Sequence, residues 1–178
     1  MSSDSNIVDS LHNNGVQVIV ESSTNFSTVD RFPQCALIIN TDTHFASGNY
    51  PDSWWQIDFQ REVYVRSYFI KTLEYCSYVY NWTISVSLNN LTFTKVDEQK
   101  DHYPNKIYQF DQYYKARYLR INGNADPSCS DYHKIVLAFN YIQFFGFLNK
   151  LHTECRCQMR YSYSQLQLLP FVITLLST

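Results

Sequence analysis

Residues 54–59 read WWQIDF, and this short stretch decides the fold class. Side chains of a β-strand point alternately to its two faces, so a strand here places Trp55, Ile57 and Phe59 on one face. The opposite face carries the three residues between and before them, which are Trp54, Gln56 and Asp58. An apolar face opposite a more polar one is typical of a strand whose sheet is packed on one side.

A clearer alternation follows at residues 82–88, WTISVSL, where Trp and aliphatic residues alternate with Thr and Ser. This pattern predicts a strand with Leu88 as its last core residue. Other short apolar runs are separated by turn residues, and none has the period of an amphipathic helix. About eight strands in roughly 130 residues predict an all-β sandwich or barrel. The further predicted strands are residues 16–20, 36–39, 63–70, 91–96, 107–110, 116–121 and 135–147, with a charged loop at 97–104.

The composition supports this fold class and argues against one class of partner. Aromatic residues make up 17% of the chain, with 15 Tyr and 12 Phe, and aromatic side chains favour strands. The formal net charge is −2 and the isoelectric point is about 6.2. Nucleic-acid-binding domains more often have a strongly basic face or an isoelectric point above about 9. We therefore expect no nucleic-acid partner.

The chain has the length of one domain with a tail. Residues 1–148 contain all predicted strands and form the predicted domain, and residues 149–178 form a tail of uncertain structure. The apolar end of the tail, residues 166–176, is shorter than the about 20 residues that a membrane span needs. The tail is thus either an irregular end or a strip that packs on the domain or on a partner.

The cysteines and the first residues bear on the compartment. The 5 cysteines form an odd set without CxxC spacing, which favours free thiols in a reducing compartment. Residues 1–6 lack the basic and apolar segments of a secretory signal peptide. We therefore expect a cytoplasmic protein, in which the sequons at Asn25, Asn81 and Asn90 have no role.

Five segments, in order, resemble strands of the discoidin, or coagulation factor 5/8 type C, domain family. Residues 53–59, SWWQIDF, look like the family's W-(L/I)-Q-(V/I)-D-(L/F) strand, and residues 21–23, ESS, look like its A/E-S-S start. Residues 117–121, RYLRI, resemble its R-Y-(V/L)-R-(I/L) strand. The lack of framing cysteines is more similar to intracellular protist forms than to secreted ones. The remaining similar segments are residues 63–72, 82–87 with 91–93, and 138–147.

This resemblance implies a jelly-roll β-sandwich of the galactose-binding-domain-like kind, which holds a ligand in loops at one end. Carried over by position, the loops are residues 24–32, 40–52 and 73–80, with 122–134 near the same end. The disulfide of secreted members is absent here. Calcium, which some galactose-binding relatives hold, cannot be placed on any motif of this sequence. Calcium therefore stays unassigned, and we expect no cofactor.

The candidate ligand-binding residues are polar and aromatic side chains of these loops. Aromatic rings that stack on sugars beside Asn, Asp and His hydrogen-bonding groups make a carbohydrate site, although the same rings could dip into a lipid interface. Each ring could also pack the loop down onto the domain, each Asp could form a turn, and each His could be structural. The three tryptophans are interpreted as core residues. The candidates are Asn25, Phe26, His44, Phe45, Asn49, Tyr50, Tyr75, Tyr78, Asp131 and His133.

No catalytic motif is found in the sequence: there is no GxSxG, HExxH, Walker loop or GxGxxG. We therefore predict a non-catalytic module that recognises a glycan or a similar polar ligand through its end loops. One alternative is an intracellular protein-interaction domain that uses the apolar tail. A further alternative is peripheral membrane binding. It is weaker, because binding to anionic lipids usually needs several basic residues and these loops contain only Arg31 and Lys134. The oligomeric state is left open.

Overall fold

The structure is a computed structural model that describes residues 4–23, 32–39, 43–47, 53–71, 81–100, 105–124 and 137–149. Strands make up most of these residues, and every pair of strands among them is antiparallel. The elements in chain order are β1 (Ser5–Asn6), α1 (Ile7–His12), β2 (Ile19–Ser22), a 3-10 helix (Pro33–Leu37), β3 (Phe45–Ala46), β4 (Trp54–Lys71), β5 (Asn81–Ser87), β6 (Thr94–Lys100), β7 (Asn105–Asn124), β8 (Ala138–Phe139) and β9 (Tyr141–Leu148).

The long strands β4 and β7 connect two layers. The first half of β4 pairs with β2 and with the second half of β7, which continues to β5 and β6. The second half of β4 pairs with β9, which carries β1 at its edge, and with the first half of β7. The first layer is therefore β2-β4-β7-β5-β6, and the second is β1-β9-β4-β7. This arrangement confirms the predicted all-β jelly-roll sandwich.

The chain passes from one layer to the other through a bulge. The register between β4 and β7 shifts between Asp58 and Val63, and Gln60 has a φ of 61°. The Asp58 carboxylate holds this turn: it accepts a hydrogen bond of 2.7 Å from the Gln60 backbone N–H. Because the bulge bends the strand without ending it, the predicted strands 54–59 and 63–70 form one strand, as do 107–110 and 116–121.

The bulge also decides where Arg117 lies. Strict alternation places Arg117 on the face of Leu119 and Ile121, and a buried arginine there would need a carboxylate partner. The register shift turns its side chain outward, where it is 39% exposed. Its guanidinium still pairs with Asp58 through two hydrogen bonds, of 3.0 Å from Nε and 3.1 Å from Nη2. Arg117 therefore ties β7 to β4 beside the bulge.

Aromatic side chains from both layers fill the core. Trp55, Ile57 and Phe59 are fully buried, which confirms the face that the alternation predicted. The Trp55 ring from the first layer stacks on Phe144 of β9 in the second layer, with ring centroids 6.2 Å apart. Phe59 meets the same ring edge-on at 5.8 Å. These contacts join the two layers by packing.

A polar group also joins the layers inside the core. Tyr68 of the second layer is fully buried, and its hydroxyl donates a 2.7 Å hydrogen bond to the Asp97 carboxylate of β6. The same hydroxyl accepts a 2.9 Å hydrogen bond from the indole N–H of Trp82 on β5. Since buried polar groups need partners, this network satisfies three side chains at once.

Five local predictions were wrong. The sequence indicated no helix, yet α1 forms before β2, with the Asn6 side chain capping its first backbone N–H groups. The first two residues of the apolar run 36–39 end a 3-10 helix that starts at Pro33, and the run forms no strand. Residues 16–18 precede β2, and residues 97–100 continue β6. Leu88 is 48% exposed because β5 ends at Ser87.

Among the residues that the structure describes, no helix has the length and apolar character needed to cross a lipid bilayer.

Candidate functional site

The ends of several predicted ligand loops meet at one end of the first layer. β2 runs into residues 24–31, and β4 begins after residues 48–52. The Ser23 backbone N–H donates a 3.0 Å hydrogen bond to the Trp54 carbonyl, and the Trp54 N–H donates one of 2.9 Å to the Ser23 hydroxyl. These two bonds fix the end of one loop against the end of the other.

Two more loops leave the same end. The Gly123 backbone N–H donates a 2.9 Å hydrogen bond to the carbonyl of Ser53, just before residues 125–136. Asn124 pairs with Asn81, which follows residues 72–80. The strand register therefore brings together the stems of four predicted loop regions, and the regions between the stems lie outside the described residues.

The short β3–β8 sheet fixes the other ends of two of these loops. The Ser47 backbone N–H donates a 2.8 Å hydrogen bond to the Leu137 carbonyl, and the Leu137 N–H donates one of 3.0 Å to the buried Ser47 hydroxyl. Residues 48–52 follow Ser47, and residues 125–136 precede Leu137. Both loops are thus tied at both ends to rigid strands, which is how binding loops are usually held.

Most candidate residues lie within the loops themselves. They are outside the described residues, so their ligand-binding roles stay predictions: Asn25, Phe26, Asn49, Tyr50, Tyr75, Tyr78, Asp131 and His133.

Phe45 is a core residue. Its side chain is fully buried, and its ring lies 5.3 Å from that of Phe139, its partner across the β3–β8 pair. Phe139 in turn meets Trp55 edge-on at 5.7 Å. A ring enclosed in this way cannot stack on a ligand, so the prediction that Phe45 binds a ligand is wrong. The alternative, that the aromatic residue packs the loop onto the domain, is correct for this position.

His44 is only partly buried and directly precedes β3, whereas its neighbour Phe45 is fully buried. His44 makes a contact within the structure, so its role in ligand binding stays a prediction.

Sequence reasoning missed two buried polar groups next to the β3–β8 sheet. Asn140 is 8% exposed, and its side-chain oxygen has no hydrogen-bond partner; the same holds for the buried hydroxyl oxygen of Thr43. The Asn140 backbone is fixed by a 2.8 Å hydrogen bond to the Lys71 carbonyl, next to the start of residues 72–80. Buried polar atoms in proteins are nearly always hydrogen-bonded, so these two oxygens are available to a ligand donor. The signal in the sequence was a single Asn inside the apolar run 135–147.

Trp54 and Arg120 form a rigid cluster on the outer surface near the loop stems. The guanidinium carbon of Arg120 lies 4.5 Å from the centroid of the Trp54 ring and 4.0 Å from the centroid of the Phe93 ring. Its Nε and Nη2 donate hydrogen bonds of 3.0 and 2.8 Å to the Gln56 side-chain oxygen. Trp54 is therefore a surface residue held by a cation–π contact, and its assignment to the core was wrong.

The surroundings of Arg120 affect its charge. Burial lowers the pKa of its guanidinium, while the nearby Glu21 carboxylate acts in the opposite direction. An arginine nevertheless keeps its charge at neutral pH, since its ordinary pKa is above about 12. The cluster thus holds a fixed positive charge next to the first residue of β4.

No group of three or more His, Cys, Asp or Glu side chains able to hold a metal occurs in the described part of the chain. The structure assigns no calcium ligand there, and calcium stays unassigned.

The fold and the tied loop ends define a jelly-roll domain whose loops gather at one end of a sandwich. The F5/8 type C domain family matches residues 19–138, more than half of the sequence, and the chain belongs to this family. Among curated proteins, none matches the sequence significantly.

Solved structures of similar fold include several sugar-binding domains. An f-lectin (fucolectin) from the serum of Morone saxatilis (striped bass) is 13% identical, with a TM-score of 0.62 over 74% of this chain; the match spans 47% of that chain, less than half its length. The family 32 CBM of NanJ from C. perfringens, in complex with galactose, is 13% identical with a TM-score of 0.62, covering 80% of this chain and 98% of that one. The CBM32 of AlyQ, in complex with 4,5-unsaturated mannuronic acid, is 17% identical with a TM-score of 0.58, covering 71% and 93%. At these identities the likeness concerns the fold.

Proposed function

We propose that this protein is a non-catalytic glycan-binding module whose ligand sits among the end loops. The observation that carries the proposal is the meeting of the loop stems at Ser23, Ser53, Asn81 and Asn124. Structures of the same fold have been solved with galactose and with 4,5-unsaturated mannuronic acid, which supports the same ligand class here. Domains of this family are typically non-catalytic binding modules.

The polar groups next to the β3–β8 sheet fit a neutral, hydroxyl-rich ligand. Thr43 and Asn140 each have a buried side-chain oxygen without a hydrogen-bond partner, and the partly buried His44 follows Thr43 directly before β3. A sugar presents hydroxyl groups that both donate and accept hydrogen bonds. Aromatic residues such as Tyr50, in the neighbouring loop, would supply a stacking surface.

A glycan array followed by titration calorimetry tests this proposal. We expect the full chain to retain at least one glycan, with Tyr50→Ala and His44→Ala each weakening binding by about tenfold or more, the loss of about 1.4 kcal/mol. Tyr113→Ala is the matched control, because Tyr113 is 44% exposed on the second layer, away from the loop stems. An array without any bound glycan, or equal binding by all four proteins, would overturn the proposal.

A second candidate function is protein interaction, favoured by an exposed apolar patch. Ile38 is 53% exposed and Ile39 is 79% exposed, directly before residues 40–42. Phe32, at the start of the same segment, is 43% exposed. Adjacent exposed aliphatic residues are a feature of protein interfaces. A protein partner whose binding survives competing sugar and is lost in Ile38→Ser/Ile39→Ser would support this candidate over the first.

We further propose a cytoplasmic location. Cys35 is a buried free thiol in the structure, in agreement with a reducing compartment. The sequon at Asn90 is exposed, so it would accept a glycan on a secretory route. The mass of the native protein decides: we expect no glycan at Asn90, and a glycosylated Asn90 would contradict the proposal.

A further inference from the structure

The outer surface of the second layer carries a continuous set of aromatic side chains. Five of them alternate along β4 and β9 with the core residues, so they point away from the sandwich, and the sixth, Tyr113, lies on β7. Most of them are only partly buried, and Tyr113 is 44% exposed. We call this set the aromatic face; its members are Tyr64, Phe69, Tyr113, Tyr141, Phe145 and Phe147.

Ring contacts make part of the aromatic face a single surface. Tyr64 stacks on Phe147, with centroids 4.8 Å apart, and Phe147 lies 5.2 Å from Tyr113. Toward the other end of the strands, Phe69 lies 6.2 Å from Tyr141. The outer face of the first layer is more mixed, since polar side chains such as Asp58, Thr83 and Asn122 lie there beside the Trp54–Arg120–Phe93 cluster. Contiguous apolar side chains at a protein surface are a feature of interaction sites.

Arg66 gives the aromatic face a buried donor that lacks an acceptor. Its guanidinium carbon lies 5.6 Å from the centroid of the Tyr113 ring. Its Nη1 atom is buried without a hydrogen-bond partner. Within the described residues no carboxylate forms an ion pair with Arg66. A buried guanidinium N–H without an acceptor is unfavourable, so a carboxylate or carbonyl oxygen that binds at this point would stabilise the structure.

The chain leaves the domain at the edge of the same layer. β9 ends at Leu148, and the Asn149 carbonyl accepts a 2.6 Å hydrogen bond from Nη2 of Arg61. The Asn149 side chain donates a 3.0 Å hydrogen bond to Glu62. The tail therefore starts from a fixed point, three residues beyond Gly146, which pairs with Val65 beside Arg66.

The tail contains a carboxylate that could pair with Arg66 and an apolar segment that could cover the aromatic rings. Glu154 is its one acidic side chain among residues 150–178, and residues 166–176, LQLLPFVITLL, are nearly all apolar. The five residues from Asn149 to Glu154 span about 17 Å when extended, at about 3.3 Å per residue. On the same scale, the point of β9 that lies opposite Arg66 of β4 is about 10–13 Å from Asn149. Glu154 can therefore reach Arg66, and the apolar segment is long enough to cross the layer.

We propose that residues 150–178 fold back onto the aromatic face, with Glu154 pairing with Arg66 and residues 166–176 covering the aromatic rings. The tail of this chain is the occupant, because it begins at the edge of the face, supplies the carboxylate that Arg66 lacks and carries apolar residues to match the rings. This contact closes the second layer on its outer side and leaves the loop end of the first layer free.

Hydrogen exchange of the full chain, followed by mass spectrometry, tests the proposal. In the wild type, we expect the amides of residues 166–176 to exchange at least about tenfold more slowly than an unstructured peptide does. Ile107→Ser/Tyr113→Ser removes two exposed side chains of the second layer's outer surface and should abolish this protection. The matched control, Leu88→Ser/Leu91→Ser, removes two exposed apolar side chains elsewhere and should keep it.

The ion pair has its own test in the same experiment. Glu154→Gln should speed the exchange of residues 150–176, and the swapped pair Arg66→Glu/Glu154→Arg should restore slow exchange. Exchange in β4 checks for every variant that the fold is intact. Fast exchange of the wild-type tail, protection that all face variants retain, or protection that rises with protein concentration would overturn the proposal. The last result would indicate a second copy as the occupant.

Discussion

At the scale of single residues, Tyr68 links the two layers through its hydroxyl. Tyr68→Phe leaves the Asp97 carboxylate and the Trp82 indole N–H without this partner in the interior. We expect the free energy of unfolding to fall by about 1–3 kcal/mol, the usual cost of unsatisfied buried groups. Tyr114→Phe is the control, since its 2.9 Å hydrogen bond to Asp111 is exposed, and should cost less. Urea unfolding of both variants measures the difference; equal costs would contradict the buried network.

The same residue predicts how stability depends on pH. Burial raises the pKa of Tyr68 far above its ordinary value, and the hydrogen bond to Asp97 acts in the same direction. The folded chain therefore keeps its proton at a pH where the unfolded chain loses it. Stability is full below about pH 10 and falls above it, by about 1.4 kcal/mol per pH unit from this group.

Comparing wild type with Tyr68→Phe isolates this effect from the other tyrosines. We expect the stability advantage of the wild type to shrink by about 1.4 kcal/mol between about pH 8 and about pH 11 in urea unfolding. If both proteins lose the same stability over this range, Tyr68 does not have a raised pKa.

Gly146 is required by the close approach of β9 to β4. A Cβ atom there would collide with the Tyr64 backbone carbonyl oxygen. Gly146→Ala must therefore push the two strands apart, and we expect it to cost at least about 3 kcal/mol. Gly15→Ala is the control, because Gly15 has a φ of 72° but nothing within 4 Å of the added Cβ, and should cost only about 1–2 kcal/mol. Thermal unfolding of both variants tests the order; a milder effect at Gly146 would contradict it.

At the scale of elements, the bulge at Asp58 allows β4 to serve both layers. Asp58 accepts hydrogen bonds from the Gln60 backbone and from Arg117, and its side chain is 13% exposed. We expect Asp58→Ala to cost about 3 kcal/mol in urea unfolding, since hydrogen bonds to charged groups contribute about 1.5–3 kcal/mol each. Glu98→Ala breaks only the exposed pair with Lys95 and should cost less than about 1 kcal/mol. A cost at Asp58 as small as that at Glu98 would show that the bulge does not depend on it.

The bulge in β4 is a part of the fold that could not be predicted from the sequence. The period of two along residues 54–59 and 82–87 reflects burial of one face, and this is why the sandwich could be predicted. Nothing in the local pattern marks Gln60 as the residue that bends the strand, so one strand was predicted as two. Helix α1 was missed because six residues give too little periodicity, although Asn6 is a favourable N-cap.

The site was predictable only by position along the chain. The loops between strands could be named, and their stems do meet at one end. Composition alone cannot distinguish an exposed aromatic ring from one that packs inward, and Phe45 illustrates this, because its burial depends on pairing with Phe139, far away in sequence. Asn140 shows the opposite error, since a polar group inside a predicted strand was passed over.

At the scale of the whole molecule, the two layers have different roles. The first layer carries the stems of the end loops, and the second layer carries the aromatic face and the start of the tail. This separation predicts that ligand binding and tail docking are independent. Deleting the carboxylate at Glu154 should change the exchange of the tail and leave glycan affinity within about twofold of the wild type, as expected for distant sites. A larger change in affinity, measured by calorimetry, would show that the two surfaces are coupled.

Backbone amide NMR during titration with the strongest-binding glycan from the array shows whether the glycan binds among the end loops. We expect the largest chemical shift changes at the loop stems, Ser23, Ser47, Trp54, Asn81 and Leu137, with Tyr64 and Tyr113 of the second layer unchanged. Shift changes confined to the outer faces of the sandwich, or none at any glycan concentration, would show that the end loops do not bind the glycan.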